Sequence, residues 1–432
     1  MTAKVHIIGA GLAGLAAALR LAPHSHEIFV HEAAPQAGGR CRSYFDATLG
    51  MVIDNGNHLL LSGNHAAQAF LREVGAEAQL VGPKAAEFAF VDLGTGQRWH
   101  LRPNDGPIPW WILMPQRRVP DTRIGDYLRP LALLTAPKGT RIKAAMDCHG
   151  RLYERLWRPF FLAALNTAPE EAEASLAATL LRETLMKGGR ACRPLVAASG
   201  LSTAFIAPAL KRLTAQNVVI GFDRRLNGID FAQNRVTRLD FGSESVPVAA
   251  EDQVVLAVPA TAAAGLVPGL SAPQTFRAIV NAHFKIAPPA DLGPVTGVIN
   301  GLIEWLFAFP DRLSVTISGA DRLIDVPREE LAEKIWQDVA RVTQIAEPLP
   351  AWQIIKEKRA TFAATPEEEV RRPRTRTAFS NLLLAGDWTA TGLPATIEGA
   401  VRSGFRAADE ILQPSEKSPP VEDVGASWRR QI

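Results

Sequence analysis

The sequence predicts an α/β fold: a parallel sheet with its helices, and a second, α+β region threaded through it. Three observations predict it. The chain opens on a strand, a glycine loop, a helix and a second strand; an apolar run ending in Gly386-Asp387 lies near its other end; between them the texture turns proline-rich and helical before β-rich segments return. At 432 residues the chain exceeds one ordinary core, so two domains are expected. A content of 47% hydrophobic and 21% charged residues suits large buried sheets. The formal charge of +3 is small and the basic residues are mostly scattered, which argues against a nucleic-acid partner.

The opening unit carries the first chemistry. Val5-His6-Ile7-Ile8 runs directly into Gly9-Ala10-Gly11-Leu12-Ala13-Gly14, a helical stretch follows over 15–21, and a β-rich run over 27–31 ends at Glu32. Gly9 permits the tight turn out of the strand, Gly11 lets backbone approach a pyrophosphate, and Gly14 lets the helix pack closely on the sheet. The helix start at Leu12 and Ala13 offers N–H groups and a positive dipole end to phosphates. Glu32, followed by Ala33, stands where an acid holds both ribose hydroxyls of a dinucleotide; its charge would repel a 2′-phosphate.

The next residues decide which dinucleotide. Past the acid the chain enters Gly38-Gly39-Arg40, where an NAD domain would normally begin another helix. This stretch resembles the FAD-binding signature of the amine oxidase and phytoene desaturase superfamily, whose GG-R turn lies along the flavin and its phosphates. The resemblance implies a Rossmann-like FAD-binding domain of the GR2, or amine oxidase, type with an interleaved α+β substrate domain. It also implies that the Asp54-Asn55-Gly56 segment passes under the flavin ring, with Asn57 and His58 near the redox centre, and that Val219 neighbours the adenine end. His58 equally suits a buried histidine bonded to backbone. Gly386-Asp387 then supplies a carboxylate for the ribitol or a phosphate-linked hydroxyl. Ala395, Thr396 and Ile397 open the last helix, whose N–H groups face the pyrimidine edge. Glu398 reads as an ordinary first-turn acid. The three cysteines, Cys41, Cys148 and Cys192, form no CxxC, and none follows Cys192, so the C-terminal cysteinyl link of some amine oxidases cannot form and FAD is expected to be noncovalent. No metal-ligand spacing occurs.

Elsewhere, Asn64 is placed to cap a helix to about Val74, and Phe88-Ala89-Phe90-Val91 and Arg98-Trp99-His100-Leu101 flank a turn as a β-hairpin. The proline-rich stretch 103–120 carries Trp110 and Trp111, followed by Arg117 and Arg118; it suits either peripheral membrane contact or a loop tucked on its own domain. Apolar stripes over 123–187 predict helices, and the apolar runs 156–165 and 303–309 suit cavity wall or core. The arginine cluster 371–376 reads as a solvated loop, with anionic lipid as the other partner. The segments 1–85, 195–275 and 376–412 are assigned to the FAD-binding domain, 86–194 and 276–375 to the substrate domain, and 413–432 to a flexible tail. No signal peptide precedes the first strand, so a cytoplasmic protein, or one on the inner membrane face, is expected.

Six longer motifs narrow the resemblance: GGRCRS at 38–43, IDNGNHLLLSGN at 53–64, RPNDGPIPWW at 102–111, ALNTAPEEA at 164–172, GGRACRPL at 188–195 and LAGDWTATGLPATIEGAVRSG at 384–404. They are similar to the hydroxysqualene dehydroxylase family of bacterial hopanoid pathways. The resemblance implies reduction of a hydrophobic C30 isoprenoid alcohol to squalene, with reduced FAD as hydride donor, an electron donor not identified by the sequence, and release of water. His58, with Asn57, or else Asn166, is the candidate contact to the leaving hydroxyl. A carotenoid-type desaturase, an amine oxidase and a noncatalytic isoprenoid carrier stay open as alternatives on the same fold.

Overall fold

A computed structural model describes residues 3–24 and 26–413. The assignment of a flexible tail therefore falls outside the described residues, Gln413 excepted. Five parallel strands form the first sheet, in the order Val219–Gly221, Glu27–His31, Lys4–Ile8, Gln253–Leu256, Leu382–Leu384. These are short apolar runs, and the central one pairs with both neighbours in register, Ile8 opposite His31 and opposite Leu256. Because all five run the same way, the turns that follow them gather at one edge, the usual ligand edge of such sheets.

The helix Leu12–Leu21 is buried at every position but Arg20, since it lies between the sheet and the last helix, Ile397–Leu412. Small residues permit this approach. A Cβ on Gly404 would collide with the Ala13 carbonyl oxygen and stand 2.9 Å from Ala16 Cβ.

A second sheet has seven strands, in the order Trp352–Phe362, Phe276–Phe284, Arg312–Ile317, Trp305–Phe309, Val295–Ile299, Phe88–Asp92, Arg98–Leu101. Only Val295–Ile299 beside Phe88–Asp92 pairs parallel. The expected hairpin is thus present as one end of a larger sheet. One face packs on helix Arg328–Thr343, whose Leu331, Ile335 and Val339 meet Val280, Phe284, Leu313 and Val315. The other face carries an aromatic row. Paired residues share a face, so Trp99, Phe90, Gly297, Trp305, Thr316 and Asn281 follow one another across the strands. The two apolar runs meet here: Leu156, Trp157, Phe161 and Leu165 join Trp305, Phe307 and Phe309 in one buried cluster.

Three local expectations change. Asn64 stands before helix His65–Glu73, but its Oδ1 turns back to accept from Leu61 N at 2.7 Å and does not cap the helix. Arg372 is no solvated side chain: it is buried, and its guanidinium donates to the Asp387 and Thr389 carbonyl oxygens. Trp110 and Trp111 part company. Trp111 is buried edge-on against Tyr127, while Trp110 stands exposed under the Arg117 guanidinium. Among the described residues no helix is long and apolar enough to cross a membrane.

Candidate active site

The two glycine motifs build one cradle. Gly9 takes φ +107° and Gly38 φ +112°, conformations that L side chains rarely adopt. Gly38 N donates to Ala10 O at 2.8 Å, and Gly38 bridges to Gly11. A Cβ on Gly11 would meet nothing within 4 Å, so backbone there borders open space at the start of the Leu12–Leu21 helix. Gly14 instead faces inward, where a Cβ would collide with the Gly9 carbonyl oxygen. A pyrophosphate fits such a cradle of bare backbone at a helix N-terminus.

Glu32 follows its strand at the same edge, beside Ala33. Its carboxylate oxygens accept from Ala10 N at 2.7 Å and Ala34 N at 2.9 Å. These bonds fix its orientation and leave each oxygen further lone-pair capacity for a ribose diol. The backbone that meets Glu32 belongs to Gly221 and Arg224. Val219 lies back along that strand opposite Phe29 and does not join Glu32.

From the far end of the chain, Gly386 and Asp387 follow strand Leu382–Leu384 to this edge. Arg40 Nη2 donates to both Asp387 oxygens at 2.7 Å, and Arg40 Nη1 to Ala360 O at 2.5 Å. Gly386 N donates to Ser403 Oγ at 2.7 Å, tying the turn to the last helix. Ala395 and Thr396 precede that helix and Ile397 begins it; Thr396 Oγ1 caps it by accepting from Gly399 N at 3.1 Å. The earliest N–H groups of the helix have no partner within it.

Asn57 and His58 follow strand Met51–Asp54, anchored through Asp54, which accepts from Ser43 Oγ at 2.6 Å and Leu201 N at 2.8 Å. Burial, with the nearby Arg40 charge second, pushes the His58 imidazole down to about 4. His58 is therefore neutral at pH 7 and close to the Gly-Gly-Arg turn. Asn57 donates from Nδ2 to Val315 O and Thr316 Oγ1. Asn166 does not join this group. It ends helix Arg158–Leu165 at φ +48°, accepts from Gly319 N at 2.7 Å and donates to Thr361 Oγ1 at 3.0 Å, so its side chain is committed to the fold. Thr316 and Asn281 were missed by sequence reasoning because they act through Asn57, more than two hundred positions away. Ser403 and Arg372 lie in segments the sequence singles out, but their bonds to the turn after Leu384 follow no local pattern.

A separate cleft of about 430 Å³ is lined by Arg158, Glu171, Arg277, Glu304, Asp321 and Arg322 among others. Its charge does not suit an isoprenoid. Burial holds the Cys192 thiol up at about 12, and the Cys41 thiol is also pushed up, mainly by burial, so neither is a ready thiolate. Among the described residues no cluster of His, Cys, Asp and Glu could hold a metal ion.

Fold and cradle together define a flavin-dependent oxidoreductase. The family profile described as flavin containing amine oxidoreductase matches residues 12–412, and the chain belongs to this family. The particular likeness is narrower. The chain is 55% identical to the hydroxysqualene dehydroxylase of Rhodopseudomonas palustris, over 95% of this chain and 99% of that one. It is 51% identical to the hydroxysqualene dehydroxylase of Sinorhizobium fredii over the same shares. Among solved structures, cyclohexylamine oxidase from Brevibacterium oxydans shares the fold with TM-score 0.68 at 16% identity, covering 96% of this chain and 100% of that one.

Proposed function

We propose that this protein reduces hydroxysqualene to squalene. The observation that carries the proposal is a single aromatic and aliphatic cluster, built from two distant apolar runs, on the sheet face that ends at Thr316 and Asn57. A long hydrocarbon with one hydroxyl matches such a wall, and the names of the two close relatives supply the same substrate. When bound, reduced FAD supplies hydride; the C–O bond breaks, a C–H bond forms, and the oxygen leaves as water after taking up one proton. An electron donor outside the chain must restore the reduced flavin.

The residues divide the work. Gly9, Gly11, Leu12, Ala13, Gly14, Gly38 and Gly39 hold the pyrophosphate, Glu32 and Ala33 the ribose, and Arg40 and Asp387 the central part of the cofactor. Ala395, Thr396 and Ile397 present the last helix to the flavin's pyrimidine edge. His58 meets the substrate hydroxyl as a neutral imidazole. The apolar wall excludes water from the reacting carbon. On this reading 1–85, 195–275 and 376–412 form the FAD domain, and 86–194 with 276–375 the substrate domain.

Ile108, Trp110, Leu113, Met114, Ile124, Leu128 and Leu131 are all exposed on one segment, with Arg117 and Arg118 among them. This patch supports peripheral contact with a membrane, where such a substrate dissolves.

The deciding experiment is anaerobic. The purified yellow protein is photoreduced, hydroxysqualene is added, and the lipid is identified by mass spectrometry. Squalene with reoxidised flavin is expected. No squalene, but desaturation of a polyene by the oxidised protein, would move it to the carotenoid desaturases. Replacing His58→Ala with FAD still bound is expected to slow turnover about tenfold, the size of one lost hydrogen bond. Full turnover would remove His58 from the mechanism.

A further inference from the structure

Asn57 is held in one orientation. Its Nδ2 donates to Val315 O at 3.1 Å and to Thr316 Oγ1 at 3.2 Å. Thr316 Oγ1 donates onward to Asn281 Oδ1 at 2.8 Å, and the same Asn281 oxygen lies 3.4 Å from the Asn57 backbone N–H. Both amide hydrogens of Asn57 are thereby used. The amide cannot be turned over, because its oxygen would then face the Val315 carbonyl. Asn57 Oδ1 is left buried and without a donor among the described residues. A buried acceptor in that state is costly, and a donor brought by a ligand accounts for it.

The surroundings select the kind of ligand. Thr316 pairs with Trp305, and the row runs on through Gly297 to Phe90 and Trp99. Phe90 stacks on Trp99 with ring centres 5.5 Å apart and meets Trp305 edge-on at 5.8 Å. Gly297 makes room for the Phe90 ring, with which its Cβ would collide. No member of this row is charged. Among the described residues, the row's other buried polar atoms without a partner are the indole Nε1 donors of Trp99 and Trp305. Asn57 Oδ1 is thus its one unpaired acceptor, and an apolar molecule carrying one hydroxyl matches it. An ammonium group would bring three donors and a charge to be desolvated, and a hydrocarbon would bring no donor.

We propose that Asn57, Thr316 and Asn281 form a relay that recognises the substrate's hydroxyl, a proposal that rests on the dehydroxylase assignment. Asn57 Oδ1 accepts the hydroxyl hydrogen and sets the position of the carbinol carbon along the wall. Thr316 and Asn281 are positioning residues: they never touch the substrate, and they keep the Asn57 amide from rotating. The relay therefore determines specificity for alcohol over hydrocarbon.

The test uses the oxidised holoprotein, which binds the alcohol without turning it over. Hydroxysqualene and squalene are titrated in the same detergent and followed by the flavin absorbance. Wild type is expected to bind the alcohol about tenfold more tightly than the hydrocarbon, the worth of one hydrogen bond. In Thr316→Val, with FAD content unchanged, that ratio is expected to fall towards one while the squalene Kd stays put. Thr316→Ser should restore it. Full alcohol preference in Thr316→Val would overturn the relay. So would an equal loss for both ligands, which marks a damaged wall, or a shift confined to FAD affinity, which would give the Asn57 oxygen to the flavin. A wild type that forms squalene yet shows no alcohol preference also overturns it. A wild type that forms no squalene when photoreduced fails at the dehydroxylase assignment instead.

Discussion

Arg40 and Asp387 meet across 347 positions of sequence, one guanidinium nitrogen reaching both carboxylate oxygens at 2.7 Å. The contact joins the Gly-Gly-Arg turn to the Gly-Asp turn and so closes the cofactor cradle from its two ends. The Asp387 side chain is buried while that of Arg40 is about half-exposed, so the carboxylate depends on the pair more than the guanidinium does. Asp387→Asn is expected to weaken FAD binding about tenfold or more, the scale of a charge-assisted hydrogen bond. The ratio of flavin to protein absorbance after dialysis measures it. Retention of a full complement of flavin would show that the pair is ornamental to cofactor binding.

Gly404 and Ala13 set the spacing of two helices. Gly404→Ala places a methyl group against the Ala13 carbonyl oxygen, and the helices must separate. A loss of about 1–3 kcal/mol is expected, as for other overpacked cores. A thermal melt of the holoprotein reads it out, and an unchanged midpoint would mean that the last helix yields freely.

Glu398 acts on a helix other than its own. Its oxygens accept from Ala66 N at 3.0 Å and Ala67 N at 2.9 Å, at the start of helix His65–Glu73, and Arg402 Nε donates to it at 2.7 Å. Glu398→Ala is expected to cost about 1–2 kcal/mol of stability, as for a lost helix cap. Turnover per bound flavin should be preserved. A selective loss of turnover without a change in melting would instead assign Glu398 a part in the chemistry.

Buried histidines give the protein an acid limit. Burial is the leading cause in each case: His31 and His283 are pushed down to about 3, His58 to about 4, and His6 is lowered as well. In the unfolded chain these groups bind protons near pH 6.5, but in the folded chain they do not. Stability is therefore full above about pH 6.5 and is lost as pH falls towards the folded values. His31, His58 and His283 are each expected to remove roughly 1 kcal/mol between pH 7 and 5.5, and His6 acts in the same direction. Urea midpoints across that range test the slope. Stability that rises on acidification would contradict it.

At the exposed apolar patch, Leu113→Asp puts a charge where a bilayer's acyl boundary would lie. Sedimentation with anionic phospholipid vesicles is expected to fall, while turnover of detergent-dissolved substrate holds. Equal sedimentation of variant and wild type would leave the patch without a membrane role.

The sequence by itself determined the βαβ opening, the two glycine turns, the Gly-Asp strand end and the apolar texture of the substrate wall. Each is written in a few adjacent residues, because backbone sterics and short-range periodicity act over that distance: Gly9 and Gly38 adopt conformations open to glycine, and Ile8 lies mid-sheet because its run is apolar. Tertiary structure alone decided which of two neighbouring tryptophans faces outward, that Arg372 is buried under the Asp387 turn, and that Asn166 is consumed by the fold. It also decided that Thr316 and Asn281 orient Asn57, across more than two hundred positions. Such contacts depend on strand register and helix packing, which place side chains that no local pattern links.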